Sequence, residues 1–447
     1  MGPEVLSLVG ILLGLAVLIV LAFRGFNSTV ITIAATIVVA LFSRQSIVTT
    51  FTDRYMAGFA GFLQGYFPVL LISAIFASLM QHTGAIHIIG NAFVLFCKRL
   101  IPQKYIKFGV VCISGTILSG LLTYGGINLF VLAFLLYPLS RTMFEKLDIP
   151  WHLVFCGTLG SATFTMGYLP GSPQIQNLIP VEYLGTTPMA GPILGLIATV
   201  ITVVLGTGYI WYVVARTERR GEGFMETGAA VAAAMPPMEL ADTFAPMDLI
   251  RALVPILVMI VMMLNEVNVL VCMAAAIAVL AILFFPRFKD MDIRKMLGEG
   301  TTNGVNASVS TGCIIAFGTV VQFAPGFAFV TSLLMSIPVP PMVQYLIAVE
   351  VAAGICGSSS GGLGVALGSF GQKYLAMGLD PAAMHRLGAI ASCGLDSLPH
   401  TSGIYMSLAI TRLTHKQAYQ HQFWLTVVIP IITVAIVAAI YMSTGIL

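Results

Sequence analysis

Three ionisable side chains lie inside strongly apolar segments of this sequence: Glu350, Asp396 and His400. Ionisable groups in such surroundings are costly and usually take part in function. A carboxyl group can take up a proton, and a histidine titrates near neutral pH. Asp396 and His400 are four residues apart, so they could relay a proton. Alternatively, they could form a structural pair that ties a broken helix together, and Glu350 could cap a backbone amide.

Serine, threonine and glycine concentrate at the centres of two long apolar stretches, at 119–128 and 357–364. Hydroxyl groups and free amides at helix ends suit an anion, because a helix N-terminus carries about half a positive charge. A simpler alternative is that small residues allow close helix packing. We predict that an anion binds between the two clusters, at Ser119, Thr123, Gly125, Gly126, Asn128, Ser359, Ser360, Gly361 and Gly362.

Two further apolar segments contain residues that interrupt a helix. The first is Leu169-Pro170-Gly171-Ser172-Pro173, and the second runs from Asp396 to Gly403 and includes Pro399. Irregular backbone inside a bilayer is tolerated only where protein or a polar cavity surrounds it. Broken helices of this kind form the binding sites of many transporters. The residues expected to close the anion site are Gly171, Ser172, Thr401 and Ser402.

The composition is that of an integral membrane protein. Of 447 residues, 58% are hydrophobic and 9% are charged, whereas soluble proteins have about 25% charged residues. The net charge of +3 comes from short clusters between apolar runs, so no nucleic-acid surface is expected. The seven cysteines are scattered, without metal-ligand spacing. No motif of a hydrolase or a phosphate-binding loop occurs in a suitable context. We therefore expect neither a metal nor a cofactor, and not an enzyme.

The order of these features predicts two related halves, 1–216 and 247–447, joined by a cytoplasmic linker at 217–246. The arms of each glycine-rich hairpin have roughly 14 to 17 apolar residues, fewer than the ~20 that cross a bilayer. We therefore predict re-entrant hairpins and five crossings in each half, an odd number that makes the two repeats inverted. The hairpins are expected at 106–140 and 341–377, and the broken helices at 150–180 and 382–411.

The distribution of positive charge supports this topology. Most Lys and Arg residues fall in loops that the topology places in the cytoplasm, in agreement with the positive-inside rule. Both termini are then expected on the periplasmic side. The exceptions are Arg44, Arg54, Lys373 and Arg386, and Arg386 is expected at a membrane interface.

Three segments and both glycine-rich clusters resemble the gluconate permease family of proton symporters, within the ion-transporter superfamily. These segments are 71–84, 395–400 and 413–419. The stretch at 169–177 is similar to the hydroxybutyrate or gluconate-like branch, and it departs from the Pro-Pro-His-Pro-Gly type of sugar-acid carriers. That departure favours a smaller monocarboxylate than gluconate.

This resemblance also implies an architecture and a location. The protein would be a homodimer in a bacterial inner membrane, and part of it would move like an elevator. The resemblance places the scaffold at 1–55 with 189–285, and the moving transport domain at 106–180 with 341–411.

The sequence thus predicts a secondary active transporter for a small organic monocarboxylate, such as 3-hydroxybutyrate or gluconate. Its partners would be this organic anion, the lipid bilayer and a second copy. Asp396, His400 or Glu350 would take the coupled proton. Sodium coupling is the main alternative, because Ser-rich tips offer oxygen ligands for a hard cation. An anion channel and an intramembrane hydrolase are less favoured, since inverted repeats with broken helices are typical of carriers.

Overall fold

The computed structural model describes residues 2–24, 26–127, 129–234, 245–265, 267–288, 291–327, 329, 337–399 and 401–447. All regular secondary structure within these residues is helical. Seven of the described helices are long and apolar enough to cross a membrane: Pro3–Leu21, Ile47–His82, Gln103–Tyr124, Pro192–Arg220, Pro246–Met263, Ile293–Gln322 and His415–Thr444. The predicted all-α membrane fold is therefore confirmed.

Shorter helices complete each half of the chain. The first half adds Ser28–Phe42, Ala85–Leu100, Leu129–Lys146, the consecutive turns Trp151–Thr158 and Gly160–Tyr168, and Ile175–Leu184. The second half adds Val269–Leu283, Phe285–Phe288, Pro341–Cys356, Ser359–Ala366 with its continuation to Ala376, Pro381–Ser392, Leu395–Ser397 and Ser402–Thr411. The helical path is interrupted at 169–174, the first break, and at 393–399 and 401, the second break.

Each predicted hairpin is a pair of helices joined at a glycine with left-handed backbone. The joining residues are Gly126, with φ +80°, and Gly357, with φ +59°, a conformation that disfavours a side chain. The first arm, Gln103–Tyr124, has 22 residues. This arm is longer than predicted and long enough to cross a membrane, because the helix begins at Gln103 and continues to Tyr124, into the cluster at 119–128.

The turn of the second hairpin is tighter than expected. Most of the glycine- and serine-rich cluster at 357–364 is helical, since a helix begins at Ser359. Ser358 caps this helix, and its Oγ accepts a hydrogen bond from the amide of Gly361 at 3.3 Å. A Cβ at Gly362 would collide with the backbone of Ala353 in the opposite arm. Gly362 therefore allows the two arms to pack closely, and it does not break the helix.

Two long helices from corresponding positions of the two halves pack along each other. Ile293–Gln322 runs against Ile47–His82. A Cβ added at Gly300 would lie 2.9 Å from Cα of Ile75, and one at Gly304 would lie 2.9 Å from Cα of Leu71. Small residues at intervals of four allow such close approach of helices in membranes.

The helix Pro192–Arg220 packs against the two broken helices and against His415–Thr444. Its Thr202 hydroxyl is 3.0 Å from the hydroxyl of Thr433. The resemblance placed this region with 1–55 in a scaffold. That division stays a prediction, and the packing shows where this helix contacts the elements that carry the breaks.

The predicted linker at 217–246 is partly an ordered element. Pro192–Arg220 extends into it, and Phe224–Ala234 forms a further helix. Asp148 caps this helix by accepting the Phe224 amide at 2.7 Å. The Phe224 ring also meets the ring of Trp151 edge to face, with centroids 6.0 Å apart. The linker is thereby fixed to the start of the first broken helix.

Arg386, which lies in the second half of the chain, binds residues around the first break, which lies in the first half. Its side chain is fully buried. Its guanidinium donates to the carbonyl oxygens of Ala190 at 2.9 Å, Gly167 at 2.7 Å and Pro188 at 3.0 Å, and to Oδ1 of Asn177 at 2.9 Å. The expectation that Arg386 lies at a membrane interface is wrong. The Gly167 carbonyl, freed by the break, and the loop carbonyls of Pro188 and Ala190 are suitable partners for a buried guanidinium.

We expect Arg386→Met to destabilise the protein by several kcal/mol, on the order of 3–5, because four buried acceptors would lose a charged donor. The measurement is the thermal unfolding midpoint of the purified protein in detergent. Lys373→Met is the matched control, since Lys373 is exposed, and it should unfold like the unchanged protein. Equal midpoints for both variants would contradict a clamp at Arg386.

Candidate functional site

A cavity of about 140 Å³ lies where the turn of the second hairpin meets both breaks. The hairpin contributes the serines of 358–360, and the second break contributes Asp396, Ser397 and Thr401. The first break contributes Gln174, followed by Gln176 on the next helix. Among the described lining residues, Asp396 has the only carboxyl group, and none is Lys, Arg or His. The polar groups of the cavity are thus mainly hydroxyls and amides, and they lie among apolar side chains such as Leu70, Met166 and Ile314.

Three helix N-termini converge on this cavity. The helices are Ile175–Leu184, Ser359–Ala366 and Ser402–Thr411, and residues at the start of each line the cavity. The N-cap residues Gln174 and Thr401 make no side-chain hydrogen bond to their helices. Free first-turn amides and aligned peptide dipoles make each N-terminus attractive to an anion. The cavity can therefore stabilise a negative charge without a basic side chain.

Gln176 connects the first half of the chain to the second hairpin. Its Nε2 donates to Oγ of Ser359 at 2.8 Å. Its Oε1 is buried and has no partner among the described residues. A buried amide oxygen without a hydrogen bond is unfavourable, so this atom is suited to accept a bond from a bound molecule.

Glu350 and Asp396 meet at the second break. Oε2 of Glu350 accepts the amide of Leu395 at 3.0 Å, while its Oε1 is buried without a partner among the described residues. Oδ1 of Asp396 accepts the hydroxyl of Ser397 at 2.8 Å. The proposed capping role of Glu350 is therefore present in the structure. A proton-coupling role for either carboxyl group stays a prediction.

The described residues of the first glycine-rich cluster do not line the cavity. The Ser119 hydroxyl donates to the Gly115 carbonyl and accepts the Ser161 amide at 3.2 Å. The Thr123 hydroxyl is buried without a partner among the described residues. Gly125 and Gly126 form the hairpin turn. This cluster holds the first hairpin against the first broken helix.

Gln174 joins the first cluster to the cavity. Its Nε2 donates to the Thr123 carbonyl at 2.7 Å. The Tyr124 hydroxyl likewise donates to the carbonyl of Pro170 at 2.6 Å. The first hairpin thus supports the break that borders the cavity, whereas the sequence predicted direct contact with an anion.

Some of the remaining predicted residues line the cavity, and others shape the first break. Ser359, Ser360 and Thr401 line the cavity. The Gly171 amide donates to the carbonyl of Pro188 at 3.0 Å, and the Ser172 hydroxyl donates to the carbonyl of Thr165. Both residues therefore shape the first break.

Five other predicted residues complete the comparison. Gly361 and Gly362 lie in the second hairpin arm, and Ser402 begins the helix after the second break. Asn128 and His400 lie outside the described residues.

Sequence reasoning missed several residues of the cavity wall. Gln174 and Gln176 follow the Leu-Pro break within an apolar segment, and these amide side chains were a usable signal. The hydroxyl of Thr158 donates to Oε1 of Gln422 at 2.8 Å, and both residues line the cavity. No local pattern links residues so distant in sequence.

Comparison with known proteins places this fold among membrane transporters. No family profile matches the chain. The uncharacterized transporter YxjC of Bacillus subtilis (strain 168) is 33% identical over 98% of this chain and 100% of its own length. The YdaH transporter of Alcanivorax borkumensis, whose crystal structure revealed an unusual topology, superposes with a TM-score of 0.53. That match covers 87% of this chain and 88% of the other at 12% identity, and it shows similarity of fold alone.

We expect Gly362→Ala to disrupt the cavity, because the new Cβ would meet the backbone of Ala353 and force the hairpin arms apart. Gly364→Ala, two residues away, has no atom within 4 Å of the new Cβ and provides the control. The measurements are the unfolding midpoint and ligand binding by the purified variants. The first variant should lose binding, and the second should keep it. Equal binding by both would show that the close approach at Gly362 does not shape the site.

Proposed function

This chain belongs to the family of the uncharacterized transporter YxjC, and from that premise we propose that it carries a small organic monocarboxylate together with a proton. The observation that supports an anionic substrate is the convergence of three helix N-termini on one cavity without a basic side chain. We further propose that the protein is related to the gluconate permease family, that it lies in a bacterial inner membrane, and that both of its termini are periplasmic.

The size and chemistry of the cavity favour a short hydroxy acid. A volume of about 140 Å³ is equivalent to the space of roughly five water molecules in the liquid. That space suits a four-carbon acid such as 3-hydroxybutyrate better than the six-carbon chain of gluconate. The carboxylate would accept bonds from the serines at the second hairpin turn. Its hydroxyl would donate to Oε1 of Gln176, which has no partner among the described residues.

Asp396 supports coupling to a proton. Asp396 is the only described lining residue with a carboxyl group. It lies beside the place proposed for the substrate carboxylate. Two negative charges in such proximity repel each other, and a proton on one of them removes the repulsion. Substrate binding would then require protonated Asp396. Glu350, next to the second break, and His400 are the further candidates for the proton.

Sodium coupling is the second candidate, because the same wall offers hard oxygen ligands. The Asp396 carboxylate and the hydroxyls of Ser359 and Ser360 could surround a small cation, which prefers oxygen ligands. In that arrangement sodium, instead of a proton, would neutralise Asp396.

The proposed transport movement is that of an elevator in a homodimer. Arg386, in the second half, binds four acceptors around the first break. This clamp supports the view that both broken helices move as one body. The resemblance to the ion-transporter superfamily supports the dimer.

Uptake assays in reconstituted proteoliposomes distinguish these functions. The proposal expects uphill uptake of 3-hydroxybutyrate driven by an inward proton gradient, without sodium. Uptake that requires sodium at fixed pH would overturn the proton and favour the second candidate. Flux that cannot accumulate substrate or show counterflow would identify a channel. A thermal-shift screen of short carboxylates identifies the substrate, because a ligand of the folded state raises its stability.

We expect Asp396→Asn to lose proton-driven accumulation by at least tenfold while keeping substrate counterflow, because asparagine cannot release a proton. The measurement is uptake with and without a pH gradient, alongside exchange at equal pH. Asp248→Asn is the control, since Asp248 is exposed and pairs with Arg251. Accumulation by Asp396→Asn equal to that of the control would exclude Asp396 from coupling.

We expect Gln176→Leu to reduce the preference for 3-hydroxybutyrate over butyrate by about tenfold, since one hydrogen bond to the substrate hydroxyl would be lost. The measurement is the ratio of the two dissociation constants. Gln372→Leu, at an exposed position, should leave this ratio unchanged. An unchanged ratio in Gln176→Leu would show that the hydroxyl is not bound at this residue.

A further inference from the structure

A second and larger cavity, of about 620 Å³, lies at the C-terminal end of the helix Pro192–Arg220. Its wall contains two arginines, Arg216 and Arg220, and two histidines, His152 and His421. We propose that this cavity binds the phosphate headgroup of an anionic phospholipid. This inference does not depend on the substrate or the coupling ion.

The cavity contains a buried hydrogen-bonding group without a partner. His421 is only 3% exposed, and its Nδ1 is 3.0 Å from the hydroxyl of Tyr209. Its Nε2 is buried and has no partner among the described residues. The ring stacks on His152, with centroids 5.2 Å apart and planes 15° from parallel. His421 is thus fixed in place and leaves a nitrogen atom for a ligand.

The charges of the wall favour an anion. Glu222 is the one carboxylate among the described lining residues. It lies 3.5 Å from the guanidinium of Arg220 and 3.9 Å from Nε2 of His152. Because Glu222 can neutralise only one positive charge, Arg216 leaves a net positive charge in the cavity. Arginine is well suited to bind phosphate, to which it can donate two parallel hydrogen bonds.

A neighbouring groove indicates that the ligand is a lipid. This groove, of about 380 Å³, shares Tyr212, Arg216 and Arg220 with the cavity and adds Trp211 and Arg219. Trp211 and Tyr212 are 48% and 58% exposed. Exposed Trp and Tyr beside basic residues are typical of the interface between a membrane and water. The headgroup site is therefore open toward the bilayer.

The same helix offers an apolar surface for acyl chains. Val200 and Val204, toward the middle of Pro192–Arg220, are 61% and 64% exposed. Trp424 and Ile431 are exposed on the adjoining helix His415–Thr444. Positive charge marks this end of the helix as cytoplasmic. The cytoplasmic surface is where basic pockets between helices bind anionic headgroups.

The direct test is a titration of the purified protein in detergent, followed by thermal unfolding and native mass spectrometry. Phosphatidylglycerol should give a saturable rise in the unfolding midpoint and a retained lipid. Phosphatidylcholine with the same acyl chains should give neither. Comparable effects of both lipids would overturn the proposal. A rise with sn-glycerol 3-phosphate alone would also overturn it, because the site would then bind a soluble anion.

The double variant Arg216→Gln/Arg220→Gln should weaken phosphatidylglycerol binding at least tenfold, because two charged donors to phosphate are removed. Arg294→Gln/Lys295→Gln removes the same charge at exposed positions of another helix and should bind normally. Equal binding by the two variants would contradict the site. Size-exclusion chromatography of both variants tests whether a second copy covers this surface. A change of oligomeric state in the first variant, without a lipid effect, would overturn the lipid assignment.

Discussion

Hydrogen bonding of the interrupted backbone is the constraint on which the structure depends. A broken helix leaves carbonyl groups at one end and amides at the other, and a membrane interior offers no water to satisfy them. Arg386 satisfies the Gly167 carbonyl at the first break, and Glu350 caps an amide at the second. Each partner comes from a different helix, so the breaks can exist only within the assembled fold.

This arrangement gives the two ends of the first break different chemistry. The carbonyl of Gly167, at the end of one helix segment, is held by Arg386. The N-terminus of the next segment, after Gln174, has no capping side chain and borders the cavity. A positive side chain thus binds the backbone oxygen at one end of the break, whereas the helix N-terminus at the other end faces a cavity without a basic side chain among its described lining residues. An anion could therefore bind and leave without separating from a charged arginine, which favours transport over permanent binding.

The sequence predicted the breaks and hairpin turns well because their causes are local. Proline and glycine within an apolar run interrupt a helix wherever the run is placed. The role of each hydroxyl could not be predicted in this way. Ser119 and Ser359 have the same chemistry and similar surroundings in sequence, yet one holds a helix and the other lines the cavity. The burial of Arg386 could not be predicted for the same reason, since its partners are distant in the chain.

The two halves share an order of elements but differ in the chemistry they bring to the cavity. The first half contributes neutral amides, Gln174 and Gln176, and the second contributes Asp396 with Glu350 behind it. In the proposed function, the residue that binds the substrate hydroxyl and the carboxyl group that takes the proton therefore lie on opposite halves. A relative displacement of the halves at this point would separate them and break the bond between Gln176 and Ser359. In the proposed elevator movement the two breaks would travel together, and Arg386, which lies in one half and is bonded to the other, is positioned to keep them together.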